Sequence, residues 1–431
     1  MMTLKQVVLI GKLCLLLIIS GCASNSLYRT RFEPCTVSTA NTCSQHSLQQ
    51  HNAGKQDQYL LGFVEINDQG QLRNRQQMQA LIDTINETAA DDGVLINVFV
   101  HGWHHNAAPG DRNIDSFNAS LTRLSQMENE LSLSSRRSAR KIIGVYVGWR
   151  GESITLPVIN NLTFWERKNT AQEVGYLGII ELLVKLEEVT RVKNALTPKP
   201  KSRLVVVGHS FGGAVVFSAT MQMLANRFVD SQAGKTFQAN ANGFGDLVVL
   251  LNPAFEAIRY APLYDIAQSR CSYFANQLPK LAILTSEADY ATKLAFPAGR
   301  FFSTLFETHD TVERSDCNRP FRYKEGAADR TAAGHFQPFI THTLTPASTP
   351  EEKAMPSLSY GNMKTIWRDQ DKGQTTRFGS TLLTHLGKTD ALNPYLNIRV
   401  DKALIPNHND VFGDPILEFL RLLIALSASN E

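Results

Sequence analysis

Ser210 stands where a serine could become a nucleophile. The run Leu204-Val-Val-Val-Gly-His-Ser-Phe-Gly-Gly213 is an apolar stretch ending at Gly208, with a serine two residues on and glycines at 212 and 213. In a G-x-S-x-G turn between a buried strand and a helix, the serine is strained and neighbouring backbones pass too close for side chains. The turn lifts the hydroxyl above the sheet, and the helix N-terminus behind it favours developing negative charge. Such a serine could attack an electrophilic carbon once a base takes its proton. The bare pentapeptide is weak, since chance matches are common; the strand before it, Gly213 and the helix after it make it specific. The competing reading is a structural turn with a bystander serine.

A second candidate is His101-Gly102-Trp103-His104-His105-Asn106, which closes another apolar run, Val94 to Val100. Three histidines so close suggest a metal. His101 and His105 are four apart but follow a strand instead of sitting on a helix, and the nearby carboxylates of such sites are missing, however. For His101 and His105 a role in stabilising the turn is the plainer reading. No C-x-x-C pair exists, so zinc or thioredoxin chemistry is not indicated. Neither a metal nor an organic cofactor is expected.

The elements that must position these residues alternate. Tyr59 to Ile66 reads as a strand, Gln76 to Ala90 as a helix through Met78, Leu81, Ile82 and Ile85, and Val94 to Val100 as a buried strand. A helical stretch follows at 114–133, a strand at 142–147, one long helical stretch at 164–192 and a strand at 204–207. Helix signals at 213–228 and strands at 247–251 and 281–285 continue the pattern. This rhythm predicts an α/β fold, a mostly parallel sheet flanked by helices. From about 302 to 392 short alternating pieces among Pro, Gly and Thr interrupt it. That stretch reads as an insertion with extra, antiparallel strands, before a last core strand at 395–404 and a closing helix at 415–426.

With the alternation in place, the 204–213 segment resembles the nucleophile elbow of the α/β-hydrolase superfamily, serine esterases and lipases among them. The likeness covers Tyr59 to the C-terminus except the insertion. The chain also resembles a subset of bacterial hydrolases through Gly148-Trp149-Arg150-Gly151 and Ser286-Glu287-Ala288-Asp289-Tyr290-Ala291-Thr292. The superfamily's order is Ser, then acid, then His. The resemblance therefore implies Ser210 as nucleophile, Asp289 as acid in the loop after the 281–285 strand, and His408 as base after the last strand. Glu287 is the nearby competitor for the acid; Asp310 and Asp316 lie too far along. Asp410 is too close in sequence to His408 to reach its far ring nitrogen. The backbone N–H groups of Trp103 and Phe211 are implied as the oxyanion hole. His309, His335, His342 and His385, within the insertion, read as surface or satisfied histidines. The expected activity is hydrolysis of carboxylic esters through an acyl-enzyme. A rival is an envelope lipoprotein that keeps the fold as a binding scaffold. Two apolar stretches, 154–165 and 294–306, could wall an acyl pocket or simply pack the core.

The N-terminus sets the expected compartment. Lys5 and Lys12 flank the apolar run 7–10, and a second run, 13–19, leads into Ser20-Gly21-Cys22. That is a secretory signal over 1–21, too short and interrupted for a spanning helix. Ile19-Ser20-Gly21-Cys22 resembles the bacterial lipobox, which implies acylation of Cys22 and anchoring to the cell envelope, at the outer membrane if the source is Gram-negative. Residues 22–58, rich in Ser, Thr, Asn and Gln, read as a tether ahead of a domain at 59–431. Outside the cytoplasm the four cysteines that follow Cys22 favour disulfides, Cys35 with Cys43 and Cys271 with Cys317. With 43 basic against 40 acidic residues and no basic patch, nothing marks a nucleic-acid partner. The expected partners are a small-molecule or lipid ester and the membrane.

Overall fold

The computed structural model describes residues 26–90, 92–151, 164–196, 200–233, 236–237, 239–297, 300, 307–317 and 319–428. Cys22 and the signal, most of the 154–165 stretch and residues 301–306 lie outside the described residues.

Apolar runs become the central strands. In chain order these are β1 (Arg31–Thr36), β2 (His46–His51), β3 (Tyr59–Glu65), β4 (Val94–Val100), β5 (Lys141–Gly148) and β6 (Arg203–His209). A short hairpin, β7 (Gln232–Ala233) and β8 (Thr236–Phe237), precedes β9 (Leu247–Leu251) and β10 (Leu281–Ser286). Every residue of β4, β6, β9 and β10 is buried, as strands covered by helices on both faces must be. β11 (Thr311–Asp316) and β12 (Arg319–Lys324) pair as a separate antiparallel hairpin. β13 (His342–Pro346), β14 (Thr375–Phe378), β15 (Thr381–His385) and β16 (Tyr395–Val400) complete the set.

Twelve strands form one sheet in the order β1-β2-β3-β5-β4-β6-β9-β10-β16-β13-β15-β14. From β3 to β13 neighbours run parallel. β2 opposes β3, and β15 and β14 continue antiparallel beyond β13. Two hydrophobic cores line the two faces, one packed by helices Arg75–Thr88, Gly178–Leu196 and Phe211–Asp230, the other by Arg112–Ser134 and Asp414–Ser427. The architecture is the expected α/β one, a mostly parallel sheet flanked by helices.

Three expectations change. Residues 31–51 do not form a tether: β1 and β2 belong to the main sheet, closed by the Cys35–Cys43 disulfide. Edge strands face solvent, so their side chains stay polar and hide the strand. Glu65 at the end of β3 accepts the Tyr28 and Arg29 N–H groups, fixing the chain ahead of β1. The long helical stretch at 164–192 is two helices, Phe164–Tyr176 and Gly178–Leu196. The break follows from a close approach, because a Cβ on Gly178 would sit 2.3 Å from the Gly70 carbonyl oxygen. The strands of the insertion are not all antiparallel either. β13, β15 and β14 extend the main sheet past β16, and β13 is parallel to it. Cys271–Cys317 ties the β11–β12 hairpin to the end of helix Ala257–Ser269.

Candidate active site

The C-terminal ends of parallel strands converge, and the chemistry collects there. β6 ends at His209, and Ser210 follows with φ 56° and ψ −120° before helix Phe211–Asp230 begins. A positive φ on a residue with a side chain is a strained state that the surroundings must hold. They do so by proximity. A Cβ on Gly212 would lie 2.0 Å from the Val100 carbonyl oxygen, and one on Gly208 2.5 Å from the Gly212 carbonyl oxygen. The Ser210 N–H donates to Leu251 O at 2.9 Å, and the Ser210 carbonyl accepts from Ala254 N–H at 3.0 Å.

His408 comes from the loop after β16 and bridges two partners. Its Nε2 lies 2.7 Å from Ser210 Oγ, and its Nδ1 lies 2.7 Å from Asp289 Oδ1. Asp289 is fully buried in the loop after β10. Burial alone would push its carboxyl up. The hydrogen bond and charge of His408, together with two hydrogen bonds from Thr292, hold it below the ordinary carboxylate range instead. Thr292 N–H donates to Oδ1 at 3.1 Å and the Thr292 hydroxyl donates to Oδ2. An ionised Asp289 accepting from Nδ1–H leaves His408 Nε2 free of its proton and facing the serine hydroxyl. That tautomer is the one able to take a proton from Ser210.

The loop carrying His408 is clamped through its backbone. The His408 carbonyl accepts from His209 Nε2–H and from Asn252 Nδ2, each at 2.9 Å. Burial pushes His209 down to about 3, so its ring stays neutral and donates from Nε2. Asn252 follows β9 in the left-handed region at φ 44°, and its Oδ1 accepts the Ser286 N–H at 2.9 Å. Ser286 Oγ in turn donates to Ile405 O at 2.6 Å. Sequence patterning singles out neither Asn252 nor His209 for this clamp, although Asn252 stands at a strand end, as Ser210 does.

The turn after β4 packs directly on the serine. A Cβ on Gly102 would be 2.8 Å from Ser210 Cβ, which brings the Trp103 backbone beside the site, with the Trp103 ring 6.4 Å from the Phe211 ring. His101 staples this turn. Its Nε2 accepts from Trp149 N–H at 3.1 Å, so Nδ1 carries the hydrogen and donates to the Gly102 carbonyl at 2.9 Å. Trp149 Nε1–H returns a bond to His101 O, and the two rings stack. Burial lowers His101 to about 4, keeping it neutral. His105 Nδ1 lies 2.9 Å from Asp111 Oδ1, and His104 stacks on Trp103, so the three histidines point to different partners. The G-W-R-G segment thereby acquires a purpose. Trp149 covers His101, Arg150 pairs with Asp68, and a Cβ on Gly151 would sit 2.6 Å from His105 O.

Of the competing carboxylates, Glu287 pairs with Arg399 at 3.3 Å and Asp410 is exposed and bonded to Asn407. Among the insertion histidines, His342 and His385 are buried and bonded to Thr341 and Thr389. His335 is half-buried and lies in the neighbourhood of Asp289, with Nε2 3.0 Å from Thr292 Oγ1. Among the described residues, Glu307, His309 and Asp329 bring ligand atoms within 4.8 Å of one another. Arg300 holds Asp329 Oδ1 at 2.6 Å, a cation that opposes a metal there.

Comparison with known proteins gives two matches. A family model described as Lipase (class 3) matches residues 146–246, from the end of β5 through the Ser210 turn. A solved structure, Trichoderma reesei cutinase in complex with a C11Y4 phosphonate inhibitor, is similar at 12% identity and a TM-score of 0.15. That match covers 42% of this chain and spans 65% of the cutinase chain. No curated protein matches.

Proposed function

We propose that the chain is a serine hydrolase that cleaves carboxylic esters through an acyl-enzyme, with Ser210, His408 and Asp289 as its triad. One observation carries this reading: a strained, buried serine whose hydroxyl meets an imidazole at 2.7 Å, itself held by a buried carboxylate at 2.7 Å. The lipase-family match over the segment that contains the nucleophile turn supports the same class.

In the proposed reaction His408 Nε2 takes the Ser210 proton as Oγ attacks the ester carbonyl carbon. Asp289 stabilises the imidazolium that forms. The Trp103 and Phe211 N–H groups receive the oxyanion; two such donors supply several kcal/mol of transition-state stabilisation, each worth about 3 kcal/mol. The imidazolium then protonates the leaving alkoxide, and the acyl group stays on Ser210. Water, deprotonated by His408, attacks the acyl carbon; the bond to Ser210 Oγ breaks, the imidazolium returns its proton to Oγ, and the acid leaves. Acylation of Cys22 would hold this chemistry at the bacterial envelope, where lipid esters are at hand.

The deciding experiment uses a fluorophosphonate probe on wild-type protein and on Ser210→Ala, followed by an ester panel of graded acyl length. Covalent labelling and ester turnover are expected in the wild type and neither in the variant. Equal labelling of both proteins would refute the assignment, and an unlabelled wild type would favour a non-catalytic scaffold.

A further inference from the structure

The proposed reaction uses one oxygen of Asp289. The other oxygen leads away from His408 into the insertion. Asp289 is ionised and can only accept, so the single hydroxyl proton of Thr292 points at Oδ2. Thr292 Oγ1 then has only lone pairs to offer His335, whose Nε2 stands 3.0 Å away. The hydrogen in that contact therefore belongs to His335 Nε2. From end to end, His335 Nε2–H donates to Thr292, Thr292 donates to Asp289, and His408 Nδ1–H donates to the same carboxylate from the other side. Every donor points at the acid, and hydrogen bonds in such a chain polarise one another.

The insertion is built to deliver this ring. Ala332-Ala333-Gly334-His335 lies against the end of β10. Ala333 N–H donates to Phe255 O at 3.0 Å, and the Ala333 carbonyl accepts from Asn397 Nδ2 at 3.0 Å. Gly334 is required by the approach, since a Cβ there would fall 1.8 Å from Thr285 Oγ1. The ring faces Asp289 and Lys293 from the loop after β10 and His408 from the loop after β16. Burial favours its neutral form, and the Asp289 charge and carbonyl pull the other way. Thr292 itself lies in a five-residue π-helical turn, Ala291–Ala295, which turns its N–H and hydroxyl back on Asp289.

We propose that His335 is a positioning residue that acts through Thr292 on Asp289, so that the 302–392 insertion supplies part of the machinery that orients the acid. The proposal rests on the reading of Ser210, His408 and Asp289 as a triad. A carboxylate that loses one of its donors is more basic and holds the imidazolium more tightly. The acid limb of the kcat/KM profile should then move to higher pH, with the acyl chain bound as before.

The test measures kcat and KM across pH for full-length wild type, Thr292→Val, Thr292→Ser, His335→Leu and His335→Gln, with active sites counted by phosphonate titration. Thr292→Val should lower kcat about 10–100-fold at neutral pH, the range of one hydrogen bond to a charged group, with KM within about twofold. His335→Leu should cost about 3–10-fold and shift the acid limb in the same direction. Thr292→Ser keeps the hydroxyl and His335→Gln keeps a donor, and both should return kcat and the limb to near wild type. A His335→Leu enzyme with wild-type kcat and an unmoved limb would overturn the proposal. So would a loss that only tracks the number of titratable sites. Should Thr292→Val fail to fold, the two His335 variants decide alone, since they leave the bonds to the Asp289 carboxylate in place. Ser210→Ala run alongside separates the two readings: turnover that survives it refutes the triad, whereas an inert Ser210→Ala with a wild-type His335→Leu refutes only the role of His335.

Discussion

Replacing Asp289 with Asn tests how the proposed acid works, because the structure dictates which way the amide must turn. Oδ1 receives two donors, His408 Nδ1–H at 2.7 Å and Thr292 N–H at 3.1 Å, while Oδ2 receives only the Thr292 hydroxyl. An amide NH₂ placed at the Oδ1 position would confront two N–H groups. At the Oδ2 position it meets a hydroxyl that can rotate and accept. The substituted amide should therefore keep its carbonyl toward His408 and preserve the reactive tautomer. What is lost is the negative charge facing the imidazolium. At a charge separation of about 4 Å and an effective dielectric near 20, that charge is worth about 4 kcal/mol. The expected cost in kcat is roughly 10³-fold, less than the ~10⁴ of a site where the amide forces the wrong tautomer. The assay is initial-rate ester hydrolysis per titrated active site, with Ser210→Ala as the floor and Glu287→Gln and Asp410→Asn as controls within about tenfold of wild type. A folded Asp289→Asn enzyme within about tenfold of wild type would refute Asp289 as the acid. A loss as deep as that of Ser210→Ala would refute the tautomer argument while leaving the acid in place.

Three further outcomes are expected. Cys22→Ala should abolish incorporation of labelled fatty acid and release the protein from the membrane fraction, whereas unchanged lipid labelling would refute the lipobox reading. The Cys271–Cys317 bridge spans 46 residues and Cys35–Cys43 spans 8. In the chain-entropy account, serine pairs at these positions should cost about 4 and about 2.5 kcal/mol of stability, read from urea midpoints; equal losses would argue against that account. Stability should also fall on acidification. His101 is pushed down to about 4 and His209 to about 3 by burial, so the unfolded chain takes up protons that the folded chain excludes. The full contribution is present above about pH 6.5 and declines toward pH 4, by about 1.4 kcal/mol per pH unit for each histidine. A urea midpoint unchanged between about pH 7 and pH 5 would show that these rings are not held neutral.

Much of the scaffold was legible because burial on both faces leaves one kind of sequence. β4, β6 and β9 are runs of Val, Leu, Ile and Phe with few polar residues, and their bounds agree with the reading to within two residues. The triad candidates followed from where these strands end, taken with the order the superfamily resemblance implied. The misses have physical causes. The β2 strand His-Ser-Leu-Gln-Gln-His buries its middle through hydrogen bonds rather than apolar surface, as when Gln49 Nε2 donates to Cys43 O at 2.8 Å. Its composition therefore resembles a loop. The split at Gly178 depends on Gly70, a residue more than one hundred positions earlier, and helical periodicity carries no trace of it.

The residues that surround the proposed triad differ among themselves in how visible they could have been. In a parallel sheet the residue that closes each strand faces the same crevice as its neighbours. Ser210 after β6 and Asn252 after β9 satisfy that condition directly, and Asp289 lies in the loop that leaves β10. Asking what stands at every strand end would have raised Asn252 beside the serine, and its amide reaches His408 across 156 residues. His335 could not be found that way. It arrives on a segment between two strands of the insertion, and its meeting with Thr292 depends on Gly334 lying against Thr285. A lone glycine before a histidine, in a stretch rich in small residues, looks the same whether the backbone approaches a strand or solvent. What separates the two cases is a distance of closest approach, which is a property of the folded chain. The proposed triad is therefore flanked by one residue, Asn252 on the His408 loop, that strand order could reveal and by another, His335, that only packing could.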